Sequence, residues 1–119
     1  MIHEFDKIDE VAVNAYDNQK LHLFIFDHME WGDVQAHLAI LQMKIENYII
    51  FIQQKGYLQP MCRTEDFKSF EIVVYSAYVP PKNVMKFQQK YQKQINRKKY
   101  PITLKFEVHP IEEMKGMGN

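Results

Sequence analysis

The sequence predicts an α+β fold, a two-layer sandwich in which a four-stranded mixed sheet carries two helices on one face. Four runs have the residue types of strands, and two segments between the last three runs have the spacing of amphipathic helices. The resulting order is β-β-α-β-α-β, and the strand-helix-strand connections favour right-handed parallel crossovers. No repeat or Gly/Ser-rich linker interrupts the chain, so we expect a single domain over residues 1–109 and a loose tail over residues 110–119.

The first two strands are predicted to form a hairpin. They span Glu10–Tyr16 and Lys20–Asp27, and the polar residues Asp17, Asn18 and Gln19 connect them. The connection has the composition of a turn, although it lacks the Asn-Gly or Asp-Gly pair that marks the tightest hairpins.

Apolar residues spaced by three and four positions predict the first helix over residues 34–52. Further apolar residues widen this stripe and indicate burial on more than one side. They are Ala36, Ile40, Met43 and Phe51. Gly56 suits the left-handed position that ends many helices, and residues 57–67 are predicted to form a loop.

The second half of the chain repeats the alternation of strand and helix. Ser69–Tyr78 is rich in β-forming residues and should be a buried strand. Pro80 and Pro81 suit a helix start, because proline lacks a donor that the first turn leaves unpaired anyway. Pro101 ends the second helix, and Ile102–His109 alternates apolar and polar residues as the last strand. The apolar face of the second helix consists of Val84, Phe87, Tyr91 and Ile95.

Composition excludes several classes of protein. A chain of 119 residues with 46% apolar residues is long enough to bury a core without disulfides or metals. Cys62 is the single cysteine, which rules out an intrachain disulfide and a cysteine-rich zinc motif. The acidic start of the chain is unlike a secretory signal, and no apolar run approaches the length of about 18 to 20 residues that a membrane helix needs. The sequence therefore predicts a soluble cytoplasmic protein without a membrane partner.

Charge is unevenly distributed along a chain whose net charge is zero. Residues 1–33 contain eight acidic and two basic residues, whereas residues 82–119 contain nine basic and three acidic residues. The two ends can attract each other or attract different partners.

Paired residues around the first helix carry a family resemblance. The pairs and the single tryptophan are Asp27-His28, Trp31, His37-Leu38, Leu41-Gln42 and Asn47-Tyr48. They resemble the signature of a small family of bacterial proteins without an assigned activity, in which a strand ending in Asp-His leads through a tryptophan into a helix. The resemblance implies the fold and a bacterial origin, and it implies no mechanism.

A polar cluster lies where the second strand leads into the first helix. Its members are Asp27, His28, Glu30, Trp31, Asp33 and His37. Ligands of sheets with crossover helices bind beyond the carboxyl ends of strands, where this junction lies. Its histidines and carboxylates could hold a divalent metal or transfer protons. We favour a structural interpretation, in which the acids offset unpaired N–H groups at the helix start and Trp31 anchors the packing. No HExxH, cysteine-rich or paired-carboxylate pattern is present, and we predict no metal or cofactor.

Basic residues form a stripe along the second helix. They are Lys82, Lys86, Lys90, Lys93 and Arg97, which fall within about 80° of one another at the helical period. Such a stripe could follow the phosphates of DNA or RNA or bind another acidic partner. No RNP-like or helix-turn-helix pattern accompanies it. We therefore favour a solvated helix face and do not predict nucleic acid as the main partner.

The second and third strands are apolar on both faces. If Leu21, Leu23 and Ile25 face the helices, the residues between them face away, and several of these are aromatic. The candidate interface residues are Phe24, Phe26, Val73 and Tyr75. A sheet with one solvated face should alternate apolar and polar residues. We therefore expect this face to be buried by self-association, or else covered by the N-terminal segment or the tail. The spacing typical of base-stacking RNA-binding sheets is missing.

The sequence leaves three functional hypotheses. The favoured one is a non-enzymatic module that acts through protein contacts, as a homodimer or with an unidentified protein partner. The second is a binder of nucleic acid or another anionic ligand through the basic stripe. The third is a metal-dependent or acid-base enzyme at the polar cluster. The chain has no GxSxG, P-loop or GxGxxG motif.

Overall fold

Four strands and two helices follow one another in the computed structural model of the chain, which describes residues 7–109. The elements are β1 (Glu10–Val13), β2 (Lys20–Asp27), α1 (Val34–Gln53), β3 (Ser69–Ser76), α2 (Lys82–Arg97) and β4 (Ile102–Val108). The predicted α+β fold with a four-stranded mixed sheet and the order β-β-α-β-α-β is confirmed. The predicted tail, residues 110–119, lies outside the described residues.

The strands lie in the sheet in the order in which they occur in the chain, β1-β2-β3-β4. β1 runs antiparallel to β2, with Val13 opposite Leu21. β2, β3 and β4 are parallel, and Ile25, Val74 and Phe106 lie side by side across them. Asp27 and Ser76 are paired where β2 and β3 end, so the carboxyl ends of the central strands meet at one edge of the sheet.

One hydrophobic core fills the space between the sheet and the helices. Alternate residues of the strands are buried on this side, with Leu21, Leu23 and Ile25 of β2 fully enclosed. Burying an apolar side chain of this size stabilises a fold by about 1.5–3 kcal/mol. The helices contribute Leu41, Ile45, Tyr48 and Ile52 from α1, and Tyr91 and Ile95 from α2. The predicted apolar faces of both helices are confirmed. Ala36 and Met43 of α1 are exposed, however, and do not widen the buried stripe as predicted.

The end of α1 differs from the prediction. The left-handed residue is Lys55, with φ of 57°, and not Gly56. Lys55 N–H donates to Ile52 O at 3.1 Å and Gly56 N–H donates to Phe51 O at 3.1 Å, the hydrogen-bond pattern of a Schellman motif. Glycine is needed at position 56 for space, because a Cβ there would lie 2.6 Å from the ring of Phe51.

The predicted loop over residues 57–67 contributes to the core. Tyr57 and Phe67 are buried in it, and their rings lie 5.6 Å apart. The Tyr57 hydroxyl donates to the Asp66 carboxylate, and burial together with this carboxylate raises the pKa of Tyr57. The guanidinium of Arg63 lies 3.7 Å from the centre of the Phe67 ring.

Side-chain hydrogen bonds end β1 at one edge of the sheet and occupy outer backbone groups of β4 at the other edge. β1 ends at Val13, earlier than predicted, because the Asn14 side chain accepts hydrogen bonds from the N–H groups of Tyr16 and Asp17 and turns the chain. At the other edge, Gln92 accepts from Leu104 N–H at 2.7 Å and donates to Ile102 O at 3.0 Å. A second glutamine of α2, Gln88, donates to Leu104 O at 2.9 Å.

Candidate functional site

Two residues of the predicted polar cluster form a fully buried hydrogen-bonded pair. Asp27 is the last residue of β2, in phase with the inward-facing Leu23 and Ile25, and His37 lies in the first turn of α1. His37 Nε2–H donates to Asp27 Oδ2 at 2.5 Å, and both side chains are 0% exposed. The second carboxylate oxygen accepts from Met29 N–H at 3.0 Å. The pair therefore ties the end of β2 to the start of α1.

Trp31 covers this pair. Its indole lies parallel to the His37 ring, with the ring centres 3.6 Å apart and an angle of 18° between the planes. The indole N–H donates to Ser76 Oγ at 3.4 Å, and that hydroxyl donates to Tyr78 O at 2.6 Å. Trp31 thus bridges the carboxyl ends of β2 and β3, the position of a packing anchor.

The buried pair has half of the geometry of an acid-base site. An aspartate that orients a histidine recurs in catalytic triads, and His37 Nδ1 has no hydrogen-bond partner among residues 7–109. Asp27, His37 and the indole nevertheless enclose one another, so a ligand would have to displace Trp31 before reaching the imidazole. Within the described part of the chain, no group of three or more His, Cys, Asp or Glu residues is placed to hold a metal ion.

The remaining members of the polar cluster lie apart from the buried pair. His28 and Glu30 are exposed. Asp33 is the N-cap of α1, and its carboxylate accepts from Ala36 N–H at 3.1 Å. This arrangement agrees with the structural role that acidic residues have at helix starts.

A second buried pair, formed by Lys44 and Asp9, belongs to no sequence motif. Lys44 of α1 is 0% exposed, and its Nζ donates to Asp9 Oδ1 at 2.8 Å. The other carboxylate oxygen accepts from Phe26 N–H at 2.9 Å. Lys44 falls between Leu41 and Tyr48 on the buried stripe of α1, and this position is the one signal of its burial in the sequence.

Tyr48 completes the cluster around Asp9. Its hydroxyl donates to Phe24 O at 2.5 Å and accepts from Asp9 N–H at 2.8 Å. Burial raises the pKa of Tyr48, so the hydroxyl keeps its proton and remains a donor. The cluster fastens the segment before β1 to both α1 and β2.

The surface of the sheet opposite the helices, here called the open face, carries an aromatic cluster. The ring centre of Phe24 lies 5.2 Å from that of Tyr75 and 6.4 Å from that of Phe26. Val73, beside them, is buried. No helix within residues 7–109 covers this face, and a shallow depression of about 290 Å³ lies over Phe24, Val73 and Tyr75. All four predicted interface residues therefore lie on one surface.

Ion pairs border the aromatic cluster on two sides. Glu71 lies 3.1 Å from Lys20 and 3.5 Å from His22. Across the sheet, Glu107 lies 3.0 Å from Lys105 and 3.2 Å from His109.

These pairs perturb the groups around them. The hydrogen bond with Lys105 lowers the pKa of Glu107, and burial followed by the charge of Glu107 raises the pKa of Tyr75. The open face thus combines an apolar centre with borders in which cations and carboxylates are paired.

The basic stripe lies on the outer side of α2. All five of its side chains are exposed, while Val84, Tyr91 and Ile95 on the opposite side of the helix are buried. Within the described residues, none of the stripe's cations lies within 4.0 Å of a carboxylate.

The match to known proteins covers nearly the whole chain. Residues 1–109 match DUF6572, a family of unknown function. The chain belongs to this family. No curated protein and no solved structure matches this DUF6572 chain. None of the helices in residues 7–109 is both long and apolar enough to span a bilayer.

Proposed function

We propose that this DUF6572 chain is a non-enzymatic bacterial module of the cytoplasm that self-associates through its open face. The observation that carries the proposal is the aromatic cluster of Phe24, Phe26 and Tyr75, which no element of residues 7–109 covers. Contiguous apolar surface of this kind marks interaction sites in soluble proteins. The exposed, unpaired cysteine Cys62 is consistent with the reducing environment of the cytoplasm.

Charge supports a second copy of the chain as the partner. A twofold dimer presents the same patch from both sides, so the patch must be complementary to itself. The open face offers charges of both signs for such a contact, because Glu71 and Glu107 each stand beside a lysine and a histidine of the same face. An apolar centre with a polar border is also the usual anatomy of a protein interface. A nucleic acid would instead require an excess of unpaired cations.

The Asp27–His37 pair gives less support to an enzyme. Both side chains are fully enclosed, and Trp31 stacks directly on the imidazole. The pair contributes hydrogen bonds between β2 and α1, a structural role that needs no substrate.

Light scattering coupled to size-exclusion chromatography tests the proposal. At tens of micromolar, the wild-type chain is expected to elute with twice its mass of 14.3 kDa. The double variant Phe24→Glu/Tyr75→Glu should be monomeric, because the dimer would bury four unpaired carboxylates. Circular dichroism checks that the variant remains folded.

Met85→Glu is the matched control, because Met85 is a half-exposed apolar residue of α2, in the layer on the opposite side of the sheet. This variant should remain dimeric. A wild-type chain that is monomeric under the same conditions would refute self-association. A dimer that survives the double variant would move the interface elsewhere.

A further inference from the structure

A groove runs between α1 and α2, on the side of the molecule opposite the open face. It consists of two cavities of about 310 Å³ and 270 Å³ that share Tyr91 and Gln94. Glu46, Ile49, Ile50 and Gln53 of α1 form one wall of the larger cavity. We call this feature the interhelix groove. Its volume falls within the range of ligand-binding sites.

The floor of the interhelix groove is apolar with a few hydrogen-bonding groups. Ile95 and Tyr91 of α2 are nearly buried there, and Ile50 on the α1 rim is 46% exposed. Burial and the nearby charge of Glu46 raise the pKa of Tyr91 to about 12. The Tyr91 hydroxyl is therefore protonated at neutral pH and available as a donor.

The rim on the α2 side is strongly basic. Lys90 of the basic stripe and Lys98, the C-cap residue of α2, line the groove. The rest of the stripe continues along the same helix. No acidic residue occurs between positions 82 and 106. By contrast, Lys20 and Lys105 on the open face are both paired with carboxylates. Within residues 7–109 the two rim lysines, Lys90 and Lys98, form no ion pair, and the acidic residue that lines the groove, Glu46, lies on the opposite wall. The α2 side of the groove therefore keeps a positive potential.

We propose that the interhelix groove binds an acidic amphipathic segment of a partner protein. Apolar side chains at helical spacing would fill the floor over Tyr91 and Ile95, in the manner of a helix in a groove. Carboxylates on one flank of the segment would face Lys90 and Lys98. Glu46 on the opposite wall disfavours acids on the other flank and so sets the orientation of the segment.

The chemistry of the groove argues against nucleic acid as its occupant. Bases bind to single-stranded nucleic-acid sites by stacking on exposed aromatic rings, but Tyr91 is only 8% exposed and forms part of the floor. The stripe also contains one arginine among its five cations. Lysine lacks the planar fork that recognises phosphate through two hydrogen bonds.

Selection from a random-peptide phage library tests this inference, with the full chain as bait. We expect enrichment of peptides that combine apolar residues at positions i, i+3 or i+4, and i+7 with Asp or Glu on one flank. Lys90→Glu/Lys98→Glu should weaken the selected peptides by at least about tenfold, since it reverses the charge of the rim. Ile50→Ser should weaken them by a comparable factor, since it removes apolar contact area.

Lys68→Glu is the matched control, because Lys68 is an exposed lysine that does not line the groove. It should leave affinity unchanged. The monomeric variant Phe24→Glu/Tyr75→Glu should also retain peptide binding, so the groove and the open face are tested separately. Circular dichroism verifies that each variant is folded.

Three results would overturn the inference. The first is a library without an enriched acidic amphipathic class. The second is a set of peptides that binds the Lys90→Glu/Lys98→Glu or Ile50→Ser variant as tightly as the wild type. The third is binding of single-stranded DNA or of phosphatidylserine vesicles that is tighter than peptide binding and is lost in Lys90→Glu/Lys98→Glu. That result would assign the basic rim to nucleic acid or to an anionic membrane.

Discussion

The two faces of the sheet differ in how their polar groups are hydrogen-bonded. On the face covered by the helices, Asp27 is enclosed with its partner and each of its carboxylate oxygens accepts a hydrogen bond. On the open face, the side chains of Glu71 and Glu107 are partly exposed, so water as well as the neighbouring lysine and histidine can hydrogen-bond to them. A carboxylate in the covered layer is stable when protein groups donate to both of its oxygens, whereas water completes the hydrogen bonding of the carboxylates on the open face.

Removing one partner of a buried pair should show the largest effect. Lys44→Ala removes the cation that lies 2.8 Å from the carboxylate of Asp9, which is 4% exposed. Breaking a buried pair in this way destabilises a fold by about 3–5 kcal/mol. Urea denaturation measures the loss. Lys55→Ala is the control, because Lys55 pairs with Asp66 at the surface and such pairs contribute about 1 kcal/mol or less. Similar losses for both variants would contradict the contrast between buried and exposed charge.

The Asp27–His37 pair should show the next effect. Asp27→Asn removes the charge that accepts from His37, and a hydrogen bond to a charged group contributes about 1.5–3 kcal/mol. Trp31 is the single tryptophan of the chain, so its fluorescence reports whether the stack on His37 survives. Asp33→Asn serves as the control, because asparagine also caps helices. If both variants unfold at the same urea concentration, the charge of Asp27 does not stabilise the fold.

Adjacent positions of β3 offer a direct comparison of the two faces. Val74→Thr places a hydroxyl in the closed core, which costs about 1–3 kcal/mol. Tyr75→Thr changes the neighbouring residue on the open face and should destabilise the monomer less, since each cross-strand aromatic contact contributes about 0.2–1 kcal/mol. Thermal unfolding of both variants, at a protein concentration where light scattering shows a monomer, makes the comparison. The opposite ranking would mean that the open face is more closely packed than its exposure indicates.

The smallest expected effect concerns pH. Lys105 lowers the pKa of Glu107 in the folded chain, so this carboxylate stabilises the fold above its ordinary pKa. That contribution is lost as the pH falls through the lowered, folded-state value. Glu107→Gln should therefore flatten the acid limb of a plot of stability against pH. An unaltered acid limb would show that solvent screens the pair completely.

Strand alternation and helical period predict the layers of this fold because the two helices and the last strand each have one dominant apolar face. Strand alternation and helical period also distinguish Asp27 and His37 from the rest of the polar cluster. Asp27 continues the inward series of Leu23 and Ile25, and His37 lies one turn before the buried Leu41. If the periodicity had been applied to charged as well as apolar residues, it would have predicted that this pair is buried.

Other features depend on contacts that no local pattern contains. The buried Lys44 pairs with Asp9, which lies 35 positions earlier in the chain. Tyr57 and Phe67 join the core from a segment of turns, where no period distinguishes inward from outward residues. Gly56 does lie near a helix end, as predicted, but for a different reason, since the Phe51 ring and not the backbone angle excludes a larger side chain.

Two glutamines of α2 limit how chains can associate through the edge of the sheet. Gln92 and Gln88 occupy the outward hydrogen-bonding groups of Ile102 and Leu104, which an incoming strand would otherwise use. An unprotected sheet edge recruits further chains without limit and leads toward fibrils. With β4 blocked in this way and β1 only four residues long, we expect association through the open face to produce closed, finite particles that stay dispersed at high concentration.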